Sequence, residues 1–317
     1  MAVTTARAHK AHANTIEEFR SFQPPPAGFD PQTASARALA VHGFPRRPDP
    51  AKEPALAALW QRAFQRAPKL HMTKADLALD PIMTTRDPMK HLNKDFSPSG
   101  WASITVTPAS LGYNQPANTV FAEWVVPTIF PVAGDPSTAL TVGFWVGLDG
   151  SDPNSYELLQ AGTAATITGN NVNYWVWTEW FTSEYKTPAV QVTNFAIQPG
   201  DLVSCLVCAP LQGQTQGSAS FLNYRTQQAT TVGIPAPGSD ITSVGTRAIW
   251  AVEGISADLP DFSPQVFSSI SAGTQSHAFN LSPDGVLSNI TGNNNATLAQ
   301  AFIASPTVGL VLWEGNA

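Results

Sequence analysis

From Ser97 to the C-terminus the chain is a series of short runs rich in Val, Ile, Thr, Phe and Trp, interrupted by Gly, Pro and Asn roughly every ten residues. Such runs occupy 102–106, 119–125, 139–148, 155–160, 164–167, 174–181, 202–208, 219–224, 247–255, 266–270, 275–279 and 308–313. No helical period lies between them, so βαβ units are excluded, and no GxGxxG or P-loop sequence occurs. Many short strands at this spacing predict an all-β sandwich of two antiparallel sheets.

The first 94 residues have another texture. They hold 14 of the 17 Lys and Arg and 8 of the 23 Asp and Glu, a balance of +6. Residues 95–317 hold 3 basic and 15 acidic residues, a balance of -12. A boundary near Lys94 divides a basic segment, 1–94, from the sandwich, 95–317. The segment reads as mainly helical, with Pro-rich turns. One helix is expected from Asp30–Pro31 to Val41, stopped by Gly43 and Pro45. A second starts at Asp49–Pro50 and carries Leu56, Leu59, Trp60 and Phe64 at helical spacing, with Arg62, Arg66 and Lys69 towards its end. Too short to form its own core, it must pack on something.

Composition narrows the function. A pI near 5.4 and a net charge of -6 argue against nucleic acid as a partner. No run of eighteen apolar residues predicts a membrane span, and Met1–Ala13 is not followed by the apolar stretch of a Sec signal. A monomer is expected. There is no GxSxG, no HExxH and one His after residue 94, His277. Cys205 and Cys208 lie three apart in an apolar strand and so face opposite sides, which makes them packing residues.

Carboxylates and amides among aromatics remain. In Tyr174–Trp180 (YWVWTEW) alternation puts Trp175, Trp177 and Glu179 on one face, and Val176, Thr178 and Trp180 on the other. A charge beside two indoles fits the floor of a groove that grips an extended polymer. In Arg247–Ile255 (RAIWAVEGI), Ile249, Ala251, Glu253 and Ile255 share a face. Glu253 is then a single carboxylate in an apolar row, or a strand-end residue pointing to water. Gln160 ends a strand before Ala161–Gly162, where an amide is ordinarily a polar edge residue.

These motifs, WVGLDG at 145–150, LLQAG at 158–162, YWVWTEW at 174–180, IQPGD at 197–201 and IWAVEGI at 249–255, resemble in order and spacing the glutamic peptidase (eqolisin) family. The resemblance covers most of 97–317. It implies two seven-stranded antiparallel sheets, concave in the concanavalin or jelly-roll manner. It implies a metal-independent, cofactor-free acid endopeptidase acting on polypeptides, secreted, with Gln160 and Glu253 as the catalytic pair. Trp145, Asp149, Trp177 and Glu179 fall on substrate-binding positions. In that chemistry a Glu takes a proton from water and a Gln amide stabilises the oxyanion. The basic 1–94 segment looks like the family's propeptide, an intramolecular inhibitor released in acid by cleavage near 90–97, or else a permanent cap whose helices stay docked.

The chain departs from the family at residues 97–100, SPSG, where Pro98 stands in place of a groove Trp. Gly254 and Ile255 replace the acidic and aromatic residues after the catalytic Glu, and Trp175 replaces an Asp. Two other functions stay open. Glu179 with Glu253 or Asp149 offers the carboxylate pair of a polysaccharide-binding or glycoside-hydrolysing sandwich. A non-catalytic binding module of the same fold is the second.

Overall fold

The computed structural model describes residues 16–65, 70–85, 100–132, 137–149, 157–182, 187–210, 216–238, 245–256, 258–281, 285–292 and 296–315. Met1–Ala13, Arg66, Lys69, the boundary at Lys94, the expected cleavage region 90–97, Pro98 and the strand start at 155–156 lie outside these residues. Among the described residues no helix is long and apolar enough to cross a membrane.

Two sheets enclose the main core, as the strand texture predicts. One has eight antiparallel strands in the order Val286–Ser288, Trp101–Val106, Arg247–Gly254, Leu140–Asp149, Glu157–Thr168, Asn171–Thr182, Val190–Val192 and Leu77–Leu79. The other has eleven, with Gln216–Asn223, Leu202–Cys208, Thr119–Val125 and Gln265–Gly273 adjacent at its centre. The alternation of each strand sends one set of side chains inward, where Trp124, Phe144, Trp180, Trp250 and Phe267 meet in the core. Two of these buried indoles have partners for their N–H groups. Trp124 Nε1 donates to Thr163 Oγ1 at 3.2 Å, and Trp250 Nε1 to the Phe121 carbonyl at 3.0 Å.

The helices of the N-terminal segment are shorter than expected. The segment forms helices Ala36–Val41, Pro54–Phe64 and Pro81–Thr85, but also strands Arg20–Ser21, His71–Met72 and Leu77–Leu79. Strands of two or three residues carry no readable period; their partners in the sheets define them. The first helix starts later than Asp30–Pro31. Asp30 closes a turn by accepting from Gln32 N, and Ser35 caps the helix by accepting from Ala38 N at 3.2 Å. The second begins at Pro54, four residues beyond Pro50, after a turn in which Asp49 accepts from Ala51 N.

As predicted, Leu56, Leu59, Trp60 and Phe64 are buried. Leu59, Trp60 and Phe64 meet Phe121, Leu206 and Cys208 on the outer face of the eleven-stranded sheet. Each such side chain contributes about 1.5–3 kcal/mol. Gly273 permits the approach, because a β-carbon there would lie 2.2 Å from Leu56 Cδ2. Arg62 Nη2 donates to Ser271 Oγ at 3.1 Å. Among the described residues the ion pairs, Arg46–Glu53, Lys52–Asp49, Arg225–Asp201 and Arg247–Asp149, each stay within one side of the charge boundary. Apolar packing and hydrogen bonds between described residues join the two parts.

Candidate active site

The outward face of the eight-stranded sheet carries a second buried cluster, separate from the main core. Strand register builds it. Across the sheet Glu253 pairs with Gly143, Gly143 with Ala164, and Ala164 with Trp175. The next row is Ala251, Trp145, Gly162 and Trp177, and the next Ile249, Gly147, Gln160 and Glu179. Asp149 lies one row further, beside Arg247 and Leu158. Gln160, Glu253, Trp145, Asp149, Trp177 and Glu179 therefore share one face of one sheet. Glu253 is fully buried and does not point to water.

Glycines hollow this face. Gly143 pairs with Glu253, Gly147 with Gln160, and Gly162 with Trp145. A β-carbon on Gly162 would lie 2.1 Å from the Phe144 carbonyl oxygen and 2.6 Å from Trp145 Cα, so only glycine fits. This corrects the expected strand end at Gln160. Strand Glu157–Thr168 runs on through Gly162, which serves a close approach and not a break. Gln160 is thus a mid-strand residue, fully buried, and not a polar edge.

Trp145 Nε1 donates to Glu253 Oε2 at 3.1 Å. Gln160 Nε2 donates to Glu179 Oε2 at 2.9 Å, while Gln160 Oε1 has no hydrogen-bond partner among the described residues. Asp149 Oδ2 faces Arg247 Nη1 at 3.4 Å, and its carbonyl accepts from Gly245 N and Thr246 Oγ1. No hydrogen bond joins Gln160 to Glu253, both of which are described residues. They stand two strands and four residues apart, about 16 Å between α-carbons on a flat sheet. The indole of Trp145 occupies the row between them.

Three contributors were not found in the sequence. Trp101 heads strand Trp101–Val106, pairs with Glu253, and meets Trp145 edge-on with ring centres 4.9 Å apart. It supplies an aromatic next to the SPSG stretch, whose lost Trp had marked this end of the groove as depleted. The other two come from the N-terminal segment. Leu77–Leu79 pairs with Val190–Val192 and extends the sheet by one strand. Asp80 then accepts from Ile82 N at 3.1 Å and Met83 N at 3.0 Å, capping helix Pro81–Thr85, and also accepts from Trp175 Nε1. Met83 is buried within the cluster. The signal was available: Asp80–Pro81 repeats the Asp-Pro dipeptide read as a helix start at 30 and 49.

The other candidates fall elsewhere. Cys205 points into the main core and Cys208 to the outer face beneath the helix. Burial pushes the Cys208 thiol up to about 12 and that of Cys205 well above its usual range, so neither offers a thiolate. Among the described residues no group of three or more His, Cys, Asp and Glu is placed to hold a metal. The Ile197–Asp201 motif lies away from the groove. Asp201 accepts from Gln198 N, Asn223 Nδ2 and Arg225, and ties a turn to the end of strand Gln216–Asn223.

The model of the peptidase A4 family matches residues 104–310. No curated protein sequence matches. Among solved structures, scytalido-glutamic peptidase bound to a transition-state analogue inhibitor is similar, at 21% identity over 68% of this chain and 98% of that one, TM-score 0.49. SCP-B, a member of the eqolisin family in complex with the tripeptide Ala-Ile-His, has 21% identity over 68% and 98%, TM-score 0.47. Aspergilloglutamic peptidase from Aspergillus niger has 23% identity over 55% and 98%, TM-score 0.44.

Proposed function

The chain belongs to the peptidase A4 family, and on that premise we propose that it is an acid endopeptidase of polypeptides in which Glu253 and Gln160 form the catalytic pair. The observation that carries this is the placement of a buried carboxylate and a buried primary amide on the same glycine-hollowed, indole-lined face. The indole of Trp145 orients Glu253 through Oε2. Glu253 takes a proton from water as the water oxygen bonds to the carbonyl carbon of the scissile peptide. The N–H of Gln160 Nε2 donates to the oxyanion, a contribution of about 2.7–4 kcal/mol if it matches a single oxyanion-hole donor. Glu253 returns its proton to the amide nitrogen as the C–N bond breaks, leaving a carboxylic acid and an amine. Glu179 keeps the Gln160 amide turned with its nitrogen towards it.

The N-terminal segment is the proposed inhibitor. It adds strand Leu77–Leu79 to the sheet of the groove and buries Met83 in the cluster. Loss of carboxylate charge in acid weakens the attraction between a +6 and a -12 part, which favours opening. A secreted location follows by family likeness.

The glycosidase alternative is less well served. Of its two carboxylate pairs, Glu179 and Glu253 stand roughly 20 Å apart between α-carbons on a flat sheet, and Glu179 and Asp149, at roughly 12 Å, have one member held by Arg247. The full chain should hydrolyse an unfolded protein at acid pH. Glu253→Gln and Gln160→Ala should each remove most of that activity without unfolding the sandwich. Full activity in either variant, or cleavage of β-glucan with none of protein, overturns the proposal.

A further inference from the structure

Met83 is buried although it sits on a five-residue helix of the N-terminal segment. Its Cε lies 3.7 Å from the point where a β-carbon on Gly143 would stand, and Gly143 is the direct strand partner of Glu253. Trp101, Trp145 and Trp175 belong to the same buried cluster, and Ile255 packs against it. Gly143 adds room at the foot of this hole: a β-carbon there would press on Ile255 Cδ1 at 3.3 Å and touch Trp145 Cδ1 at 3.6 Å.

The chain that delivers Met83 is gripped as extended polypeptide. Leu77–Leu79 pairs with the edge of the groove's own sheet, Thr193 N donates to the Asp76 carbonyl at 2.8 Å, and Asp80 N donates to that of Ala189 at 2.9 Å. Edge pairing supplies backbone bonds common to any sequence, and a pocket beside it supplies the choice of side chain.

We propose that the hole filled by Met83 is a side-chain subsite of the substrate groove, selective for a long, unbranched apolar residue of a polypeptide. The inference rests on the peptidase reading of this face and names its substrate class. Only the terminal carbon of a side chain with several rotatable bonds reaches Gly143. Val and Ile place their bulk at the mouth and stop short, and Ala leaves the bottom empty. Indole walls also suit a thioether, whose sulfur packs well against aromatic rings.

The test uses the full chain at acid pH and peptides that carry Met, norleucine, Val or Ala at each position flanking the scissile bond. At one position Met and norleucine should be cleaved at least about tenfold faster than Val or Ala, since each methylene in an apolar pocket is worth about 10–200-fold. Gly143→Ala should lower the Met-to-Ala ratio at that position at least about tenfold. A flat profile from an enzyme that Glu253→Gln inactivates overturns the subsite and leaves the catalytic pair standing. So does a preference that Gly143→Ala leaves unchanged. Should no peptide be cleaved, the catalytic reading fails, and hydrogen exchange on the full chain decides the subsite. Amide protection at Leu77–Leu79 should then fall in the order Met83, Met83→Leu, Met83→Ala, although Ala is the best helix former. Equal protection in all three overturns the proposal.

Discussion

Replacing Asp80 by Ala should loosen the N-terminal segment from the groove while leaving the sandwich folded. Asp80 is buried and its carboxylate carries three loads: Oδ1 receives Ile82 N and Met83 N, and Oδ2 receives Trp175 Nε1. Losing an N-cap costs about 1 kcal/mol. Losing a hydrogen bond to a charged acceptor costs about 1.5–3 kcal/mol. Taken together at roughly 3 kcal/mol, the change multiplies the open fraction by about 100, at 1.4 kcal/mol per tenfold. Asp76→Ala is the control. Asp76 is exposed and removes the same charge from the same segment, with no described hydrogen bond to its carboxylate. The readouts are amide exchange at Leu77–Leu79 and the lag before protein hydrolysis after acidification of the full chain. Asp80→Ala should speed exchange by about two orders of magnitude and shorten the lag. Exchange and lag within twofold of the Asp76→Ala control would refute the view that this carboxylate latches the segment.

Gly162→Ala places a methyl group against the Phe144 carbonyl and Trp145 Cα, backbone atoms that cannot move aside. It should cost about 3 kcal/mol in denaturant unfolding, and a loss below about 1 kcal/mol would contradict the close approach. For Asp201, burial pushes the carboxyl up, but hydrogen bonds from Arg225, Asn223 and Gln198 N outweigh it and leave the group below its usual value. A lowered native pKa stabilises the fold fully above the unfolded value of about 3.9 and loses that contribution as pH falls below it. The stability gap between wild type and Asp201→Asn should therefore be larger at pH 6 than at pH 2.5. An equal or larger gap at pH 2.5 would contradict the direction.

What the sequence made legible was periodic. Alternation separated Trp177 and Glu179 from Val176 and Trp180 in Tyr174–Trp180, and grouped Glu253 with Ile249 and Ala251 in Arg247–Ile255; the structure puts Trp177, Glu179 and Glu253 on the groove face and Val176 and Trp180 in the core. The Leu56 to Phe64 stripe was read for the same reason. Gly162 misled because a glycine in a strand marks either a break or a close approach, and only the neighbouring Trp145 decides which. Leu77–Leu79 was invisible because three residues have no period and owe their strand to Val190–Val192, more than a hundred positions away. Trp101 was not legible as the aromatic of this end because it stands three residues beyond Pro98, the position where the family has its Trp. The Ile197–Asp201 motif was seen, but its role as a buried turn clamp depends on Asn223 and Arg225, which no local pattern links to it.

The central claim is that Glu253 and Gln160 serve one chemical step, and a double-mutant cycle on peptide hydrolysis at acid pH tests it most directly. Groups that act as a unit are strongly non-additive. Glu253→Gln and Gln160→Ala should each lower kcat by at least about a hundredfold, and the double variant should fall little further than the worse single one. Undiminished hydrolysis in either single variant, or losses that simply multiply in the double, would contradict the pair.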